Sequence, residues 1–325
     1  MKTKIILSII TYVISLILGK LFIKLFRKIK LFQPVYEYVS EHEGKKGTPT
    51  MGGLFFILPS VVLAFIFFGE NSFLSKMAVV LIVAFLFIGF LDDFIKIKYK
   101  KNEGLKPYQK IFFQLGVSLV AGIYAYKNGL TYFYIPFFNS TVNLGFFTVI
   151  AVLFIYLATT NCVNLTDGLD GLCGNVSLFY LVFLSAIMIL ERENNAILNA
   201  EEVDNLLYIN FALIGGILAF LCYNTNRASV FMGDTGSLSL GSAITALSIF
   251  SLNGLFIPVL GIMFVVSGIS VIIQVSYYKK TKKRVFLKAP FHHHLQLKNI
   301  TEGKISFFYS LITVLAGLIS ILVYL

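Results

Sequence analysis

The sequence predicts an all-α fold, a polytopic membrane helix bundle of about ten transmembrane helices joined by polar loops. Three observations predict it. Of 325 residues, 57% are hydrophobic and only 13% charged, against roughly 25% charged in soluble domains. Apolar runs of about 20 residues recur along the chain, long enough to cross a bilayer at about 1.5 Å per residue. The runs are continuous rather than alternating, which favours helices over a β-barrel. No stretch is left for a large soluble domain, so residues 1–325 read as one integral membrane domain.

Ten spans follow in order. The first, 5–26, is a span rather than a signal peptide, because no small-residue cleavage site follows Leu18 and Lys20 and Lys24 come next. The second, 51–69, is short; 76–95 and 109–126 follow. Lys127 to Asn143 then carries Tyr132, Phe133, Tyr134, Phe137 and Phe138, which suits an interfacial hairpin or aromatic belt. Spans 144–163, 175–190 and 206–223 come next, with the acidic, amphipathic segment Glu191 to Asn205 predicted as a surface element. Spans 236–252 and 255–276 are separated only by Leu252-Asn253-Gly254, and 304–325 is the last. Cys162, Cys173 and Cys222 share no metal-ligand spacing and read as small buried apolar residues.

Basic residues orient the spans. One set of loops holds Arg27, Lys28, Lys30, Lys45 and Lys46, then Lys96 to Lys110, then Arg227, then the run from Lys279 to Lys304. The other side holds Lys2, Lys4, Lys76, Lys127 and Arg192. The excess puts the first set in the cytoplasm and both termini outside. These loops explain the net charge of +11 better than nucleic acid does, and no nucleic-acid partner is expected.

Five polar clusters then fall on the cytoplasmic side. Lys45-Lys46-Gly47-Thr48-Pro49-Thr50-Met51-Gly52-Gly53 is a stiff loop with donors for a phosphate or nucleoside, or a charged helix entry. Asp92-Asp93-Phe94-Ile95-Lys96 puts two acids near a helix C-terminus, where the dipole disfavours them, so a divalent cation or a proton-transfer role accounts for them best. Asn161-Cys162-Val163-Asn164-Leu165-Thr166-Asp167-Gly168-Leu169-Asp170-Gly171-Leu172 packs acids, amides and glycines between two spans. It reads as a ligand-binding loop, or as an interhelical turn with Asp as cap. In Asn224 to Ser237, Asp234 is a candidate ligand or N-cap, and Phe231 is placed to stack on a base or anchor at the interface. Ala289-Pro290-Phe291-His292-His293-His294 holds three of four histidines; neighbours point apart, so phosphate contact or proton shuttling fits better than one shared metal. Carboxylates for a hard cation beside Lys, Arg and His for phosphate oxygens suggest phosphoryl chemistry at a membrane surface.

These clusters, in order and over nearly the whole chain, resemble those of the phospho-N-acetylmuramoyl-pentapeptide transferases (translocase I, MraY type), a branch of the polyprenyl-phosphate hexosamine-1-phosphate transferases. The Asp-Asp pair is shared across that superfamily, whereas the Thr-Pro-Thr-Met-Gly-Gly loop and the histidine triplet point to this branch. The resemblance implies a ten-helix bacterial cell-membrane protein, often a homodimer among membrane lipid, with outside termini and cytoplasmic active-site loops. It implies transfer of phospho-MurNAc-pentapeptide from UDP-MurNAc-pentapeptide to undecaprenyl phosphate, giving lipid I and UMP with Mg²⁺. By motif match, Asp92, Asp93, Asp234 and His293 would be catalytic, and Asp234, Asp92 and Asp93 would hold the metal. Lys45, Thr50, Lys96, Asn161, Asn164, Asp167, Gly168, Leu169, Asp170, Asn224, Phe231, Gln274 and His292 would contact substrate, Phe231 by stacking on uracil. Lys110 is a further match, in a region where loop length varies. Pro258, Gly261 and Gly268 would bend the ninth span, as in the family's broken helix.

The acceptor phosphate monoester has a second pKa near 6, so it needs charge neutralisation more than a strong base. Direct in-line attack is expected, with Asp92 removing a residual proton or ordering Mg²⁺ and phosphate; a phospho-aspartate on Asp92 or Asp93 is the alternative. A sibling GlcNAc-1-phosphate transferase is the nearest rival activity. A transporter is disfavoured because the acids cluster at one face rather than at span centres.

Overall fold

The computed structural model describes residues 1–29, 32, 47–99, 104–138, 140–192, 197–225 and 227–322. Its described helices are α1 (Lys2–Lys28), α2 (Gly53–Ile66), α3 (Phe73–Tyr99), α4 (Pro107–Lys127), α5 (Thr148–Thr166), α6 (Leu172–Glu191), α7 (Ala200–Asn224), α8 (Gly233–Phe250), α9 (Ile257–Leu260), α10 (Ile262–Thr281), α11 (Phe291–Gln296) and α12 (Glu302–Ile321). Among the described residues, seven stretches are long and apolar enough to cross a membrane: α1, α3, α5 with the turn before it, α6, α7, α10 and α12. The expected spans therefore each meet a helix, while length and hydropathy by themselves support seven crossings rather than ten.

Of the remaining three, α2 and α8 have physical reasons to fall short. α2 has only 14 residues. α8 is buried from Thr235 through Phe250 and is built largely of Gly, Ser, Ala and Thr. Small residues let neighbouring backbones approach closely inside a bundle, where lipid contact is not required. α8 packs against α3, α5 and α2, so it is the inner post of the bundle. α1 is its opposite: Ile5, Ile9, Ile17, Leu21 and Leu25 all face outward.

Between α4 and α5 the chain forms the hairpin that the aromatic segment predicts. β1 (Tyr132–Ile135) pairs antiparallel with β2 (Ser140–Asn143), Tyr132 opposite Asn143. Tyr134 stacks on Phe256. The ninth span is interrupted at Gly261, where α9 stops and α10 begins. Pro258 lies in the first turn of α9, where a missing N–H costs nothing. Gly268, by contrast, lies inside unbroken α10 against Cys162. It serves close packing, not bending.

The acidic segment before α7 starts that helix earlier than hydropathy predicts. Asn199 accepts from the Glu202 N–H at 2.8 Å, and Glu201 and Glu202 occupy the first turn, where the dipole favours them. Lys4, whose charge opposed the orientation argument, is buried and paired with Asp204 at 2.8 Å; Arg192 joins the same carboxylate. Both charges are neutralised by a protein partner, which weakens their weight as orientation signals.

Candidate active site

Asp92 and Asp93 occupy consecutive positions on α3, about two turns before it ends, and each is 3% exposed. Burial of two adjacent carboxylates requires compensation. Asp93 obtains it from α8. The Asp234 N–H donates to Asp93 Oδ1 at 3.2 Å; the Thr235 N–H and hydroxyl donate to Oδ2 at 2.9 and 2.7 Å. One carboxylate on α3 thus caps the orphan N–H groups at the start of α8. The dipole of α8 offsets the unfavourable dipole of α3.

Two glycines make this junction possible. A Cβ on Gly89, one turn before the acids, would strike the Asp234 carbonyl. Gly233 has φ +71°, and a Cβ there would sit 2.8 Å from Thr50 Oγ1 and against Asp93. The Gly233 turn lets the chain enter α8 directly over the acids.

Asp92 and Asp234 share the cations. Lys96 Nζ lies 2.6 Å from Asp92 Oδ2, 3.0 Å from Asp234 Oδ2 and 3.8 Å from Asp93 Oδ1. Lys110 Nζ reaches Asp234 Oδ2 at 2.8 Å. Asn164 donates to Asp234 Oδ1 at 2.7 Å and to Ser237 Oγ at 2.8 Å, while the Leu105 N–H donates to Asp92 Oδ1 at 2.9 Å. Asp234 is no N-cap: that position is Met232, and the carboxylate faces the lysines.

The three acids offer carboxylate oxygens within 4.8 Å of one another. Hard oxygen donors at this spacing fit a divalent cation such as Mg²⁺. Asp93 is already committed to the start of α8, so Asp92 and Asp234 are the better ligand pair. Three carboxylates face only two ammoniums here, and the negative balance favours a further cation.

Asp167 ends α5, and burial, then the charges of Asp234, Asp93 and Asp170, push its carboxyl up to about 8. In its protonated form it donates a hydrogen bond. Behind it, a Cβ on Gly168 would meet His292, and His293 Nε2 at 3.2 Å. His292 is fully buried, with neither ring nitrogen bonded among the described residues. Burial, then the nearby charges of His293 and Lys288, push its pKa down to about 3, so the ring is neutral at physiological pH. His294 turns away and accepts from the Leu287 N–H at 3.1 Å, so the triplet diverges as its backbone requires.

Other expected site residues are placed differently. Asp170 Oδ2 accepts from the Ala228 N–H at 2.9 Å, and Asn224 bridges the Gly171 N–H and the Val230 carbonyl at 2.9 and 2.8 Å. Both clamp two loops together. Leu169 is buried in the apolar core. Asn161 donates to Gln114 on α4 at 2.7 Å. Gln274 accepts from the Val285 and Phe286 N–H groups at 3.2 and 2.9 Å, fastening the loop before α11. Half-buried Phe231 is held by its backbone: its N–H donates to the Pro49 carbonyl and its carbonyl accepts from Gly52. Thr50 is buried behind Gly233. Lys45 lies outside the described residues.

Thr235, Gly89 and Gly233 carry the junction; the motif reading gave Gly233 and Thr235 no role of their own and did not name Gly89. Gly89 had a signal: it precedes Asp92 by three and Asp93 by four, on the same helix face. Thr235 had none beyond its place in Gly-Asp-Thr-Gly.

Comparison with known proteins gives these features a family. The glycosyl transferase family 4 model matches residues 75–252, and signature 1 of the phospho-N-acetylmuramoyl-pentapeptide-transferases matches residues 45–57. The chain is 40% identical over 317 residues to the phospho-N-acetylmuramoyl-pentapeptide-transferase of Clostridium novyi (strain NT), covering 97% of this chain and 94% of that protein. It is 39% identical to the protein of the same name from Clostridioides difficile (strain 630), covering 97% and 96%. For the one from Thermoanaerobacter sp. (strain X514) the identity is 38% and the coverage 98% of each.

Proposed function

The chain belongs to the phospho-N-acetylmuramoyl-pentapeptide transferases, multi-pass membrane enzymes of bacterial peptidoglycan synthesis, and we propose that it moves phospho-MurNAc-pentapeptide from UDP-MurNAc-pentapeptide to undecaprenyl phosphate, releasing UMP and forming lipid I. One observation carries this reading: three acids and two lysines from α3, α4 and α8 interlock in a site able to bind a cation and phosphates. Ten crossings, a cytoplasmic site, outside termini and a homodimer belong to the same proposal.

In the reaction, an oxygen of the lipid phosphate attacks the sugar-linked phosphorus of the pyrophosphate. The bond to the bridging oxygen breaks, and UMP leaves with that oxygen. Lys96 and Lys110, now held by carboxylates, are placed to turn toward phosphate oxygens and reduce anion–anion repulsion. Mg²⁺, held by Asp92 and Asp234, would add positive charge at the pyrophosphate. Protonated Asp167 and neutral His292 supply hydrogen bonds without adding charge. Asp92 either orders Mg²⁺ and phosphate or takes a residual proton of the acceptor. Asp93, holding three donors on α8, is poorly disposed to act as a nucleophile, which leaves Asp92 as the carboxylate on which a covalent intermediate would have to form.

The purified protein with undecaprenyl phosphate is expected to release UMP from UDP-MurNAc-pentapeptide and not from UDP-GlcNAc. Preference for UDP-GlcNAc would move it to the sibling activity. Sugar phosphate bound covalently to the protein in the absence of lipid would overturn direct attack.

A further inference from the structure

Lys110 and Asn164 reach one carboxylate from different helices. Lys110 Nζ on α4 lies 2.8 Å from Asp234 Oδ2, and Asn164 Nδ2 on α5 donates to Asp234 Oδ1 at 2.7 Å. Asp234 is thus gripped at both oxygens, and its direction depends on how α4 stands against α5. One turn farther from the acids on each helix, Asn161 Nδ2 donates to Gln114 Oε1 at 2.7 Å. Gln114 is four residues from Lys110, and Asn161 is three from Asn164, so each amide shares a helix face with the residue it backs. This is the one hydrogen bond between α4 and α5 among the described residues. Deeper along the pair the helices meet by close packing, where a Cβ on Gly122 would sit 2.7 Å from the Val149 carbonyl.

The amide pair is a poor device for stability. Gln114 is fully buried, and its Nε2 has no hydrogen-bond partner among the described residues. A buried donor left unsatisfied is destabilising, and leucine would fill a similar volume without that loss. What a polar contact adds between apolar helix faces is register. One hydrogen bond fixes the slide and rotation that apolar packing tolerates. Asn161 is itself held in place, since its Nδ2 also donates to the Leu157 carbonyl at 2.8 Å.

We infer that Gln114 and Asn161 are a positioning pair for the cation site: they set the register of α4 against α5 so that Lys110 and Asn164 meet on Asp234 and aim its carboxylate at a divalent cation. The role rests on the phosphoryl-transfer reading of that site. Neither amide hydrogen-bonds to the three acids, so Gln114 acts through Lys110 and Asn161 through Asn164.

Mn²⁺ binding to the full-length protein in detergent, without substrate and followed by electron paramagnetic resonance, tests this. Gln114→Leu and Asn161→Leu should each weaken Mn²⁺ binding about tenfold and raise the Mg²⁺ needed for half-maximal UMP release by a similar factor. Both should melt at or above the parent temperature. The double variant should be no worse than either single one, because the same contact is lost once. Ser118 is buried one turn deeper on α4, its hydroxyl without a partner among the described residues, and Ser118→Ala should match the parent in all three measurements. Parental Mn²⁺ affinity in both single variants, or losses that multiply in the double, overturns the inference. Lowered melting in Gln114→Leu and again in Gln114→Met, whose unbranched chain follows that of glutamine, assigns the pair to stability and overturns it too. The pair and the reaction fail separately. A parent that binds Mn²⁺ but releases no UMP from UDP-MurNAc-pentapeptide loses the proposed reaction and keeps the pair. Parental UMP release beside unaltered Mn²⁺ affinity in both variants loses the pair and keeps the reaction.

Discussion

Asp92 and Asp93 are neighbours with different work. Asp92 faces Lys96 and the shared cation site, whereas Asp93 holds the first turn of α8. Asp92→Asn should cost orders of magnitude in turnover with little change in melting temperature. Asp93→Asn should lower both, because an amide cannot accept at both of its atoms; the stability loss should be about 1–3 kcal/mol. Thr235→Val keeps the backbone N–H and should lose about 1 kcal/mol. Thermal melting and UMP release on the same preparations check all three, and an Asp93→Asn protein that melts like its parent would remove the capping role. His292 gives a pH signature. Its folded pKa of about 3 lies below its unfolded value near 6.5, so the unfolded chain binds a proton between them. Its contribution is present above pH 6.5 and is lost as pH falls toward 3, on the order of 2 kcal/mol at pH 5. His292→Gln should melt with a smaller loss between pH 7 and 5; an unchanged loss would show that the ring is not held neutral. The Asp-Asp pair, Asp234 and the histidines were legible because charge between apolar runs is costly and stands out. Thr235 was not, since a hydroxyl at a helix start looks the same whether or not it serves another helix.

The helices follow from apolar run length, and their ends follow from caps where caps exist, as at Asn199. Hydropathy alone misjudged α7, which begins six residues before the predicted 206 because the acidic first turn stabilises it. It also cannot rank α8 as the most enclosed helix. An inner helix of small and hydroxyl residues falls short of the hydropathy of a membrane span, which outer α1 reaches. The α3–α8 contact depends on a missing side chain. Gly89→Val should drive Cβ into the Asp234 carbonyl, cost about 1–3 kcal/mol or more, and abolish turnover by parting the two helices. Gly116→Val on α4, where nothing lies within 4 Å, is the control and should be nearly silent. Equal behaviour of the two variants in melting and turnover would contradict the close approach. The break at Gly261 was readable from Gly and Pro chemistry; the unbroken passage through Gly268 was not, because that glycine answers to Cys162 on another helix.

Taken together, the bundle brings distant segments of the chain to one crevice. Asp92 and Asp93 on α3, Lys110 on α4, Asn164 on α5 and Asp234 on α8 are joined by hydrogen bonds and ion pairs, with His292 and His293 packed against the adjoining Gly168. Order along the chain suggested this convergence, since each cluster fell on the same side of the predicted spans. Which residues touch, and which only clamp loops, depends on pairings between elements that no local pattern encodes. Asp170 and Asn224 are the clearest instances. UMP release by Asp234→Asn, measured in detergent with UDP-MurNAc-pentapeptide, undecaprenyl phosphate and Mg²⁺ and with melting temperature as control, tests the convergence most directly. Turnover should fall by about a thousandfold while melting stays near that of the parent; a folded variant within about tenfold of the parent rate would contradict a phosphoryl-transfer centre built on this carboxylate.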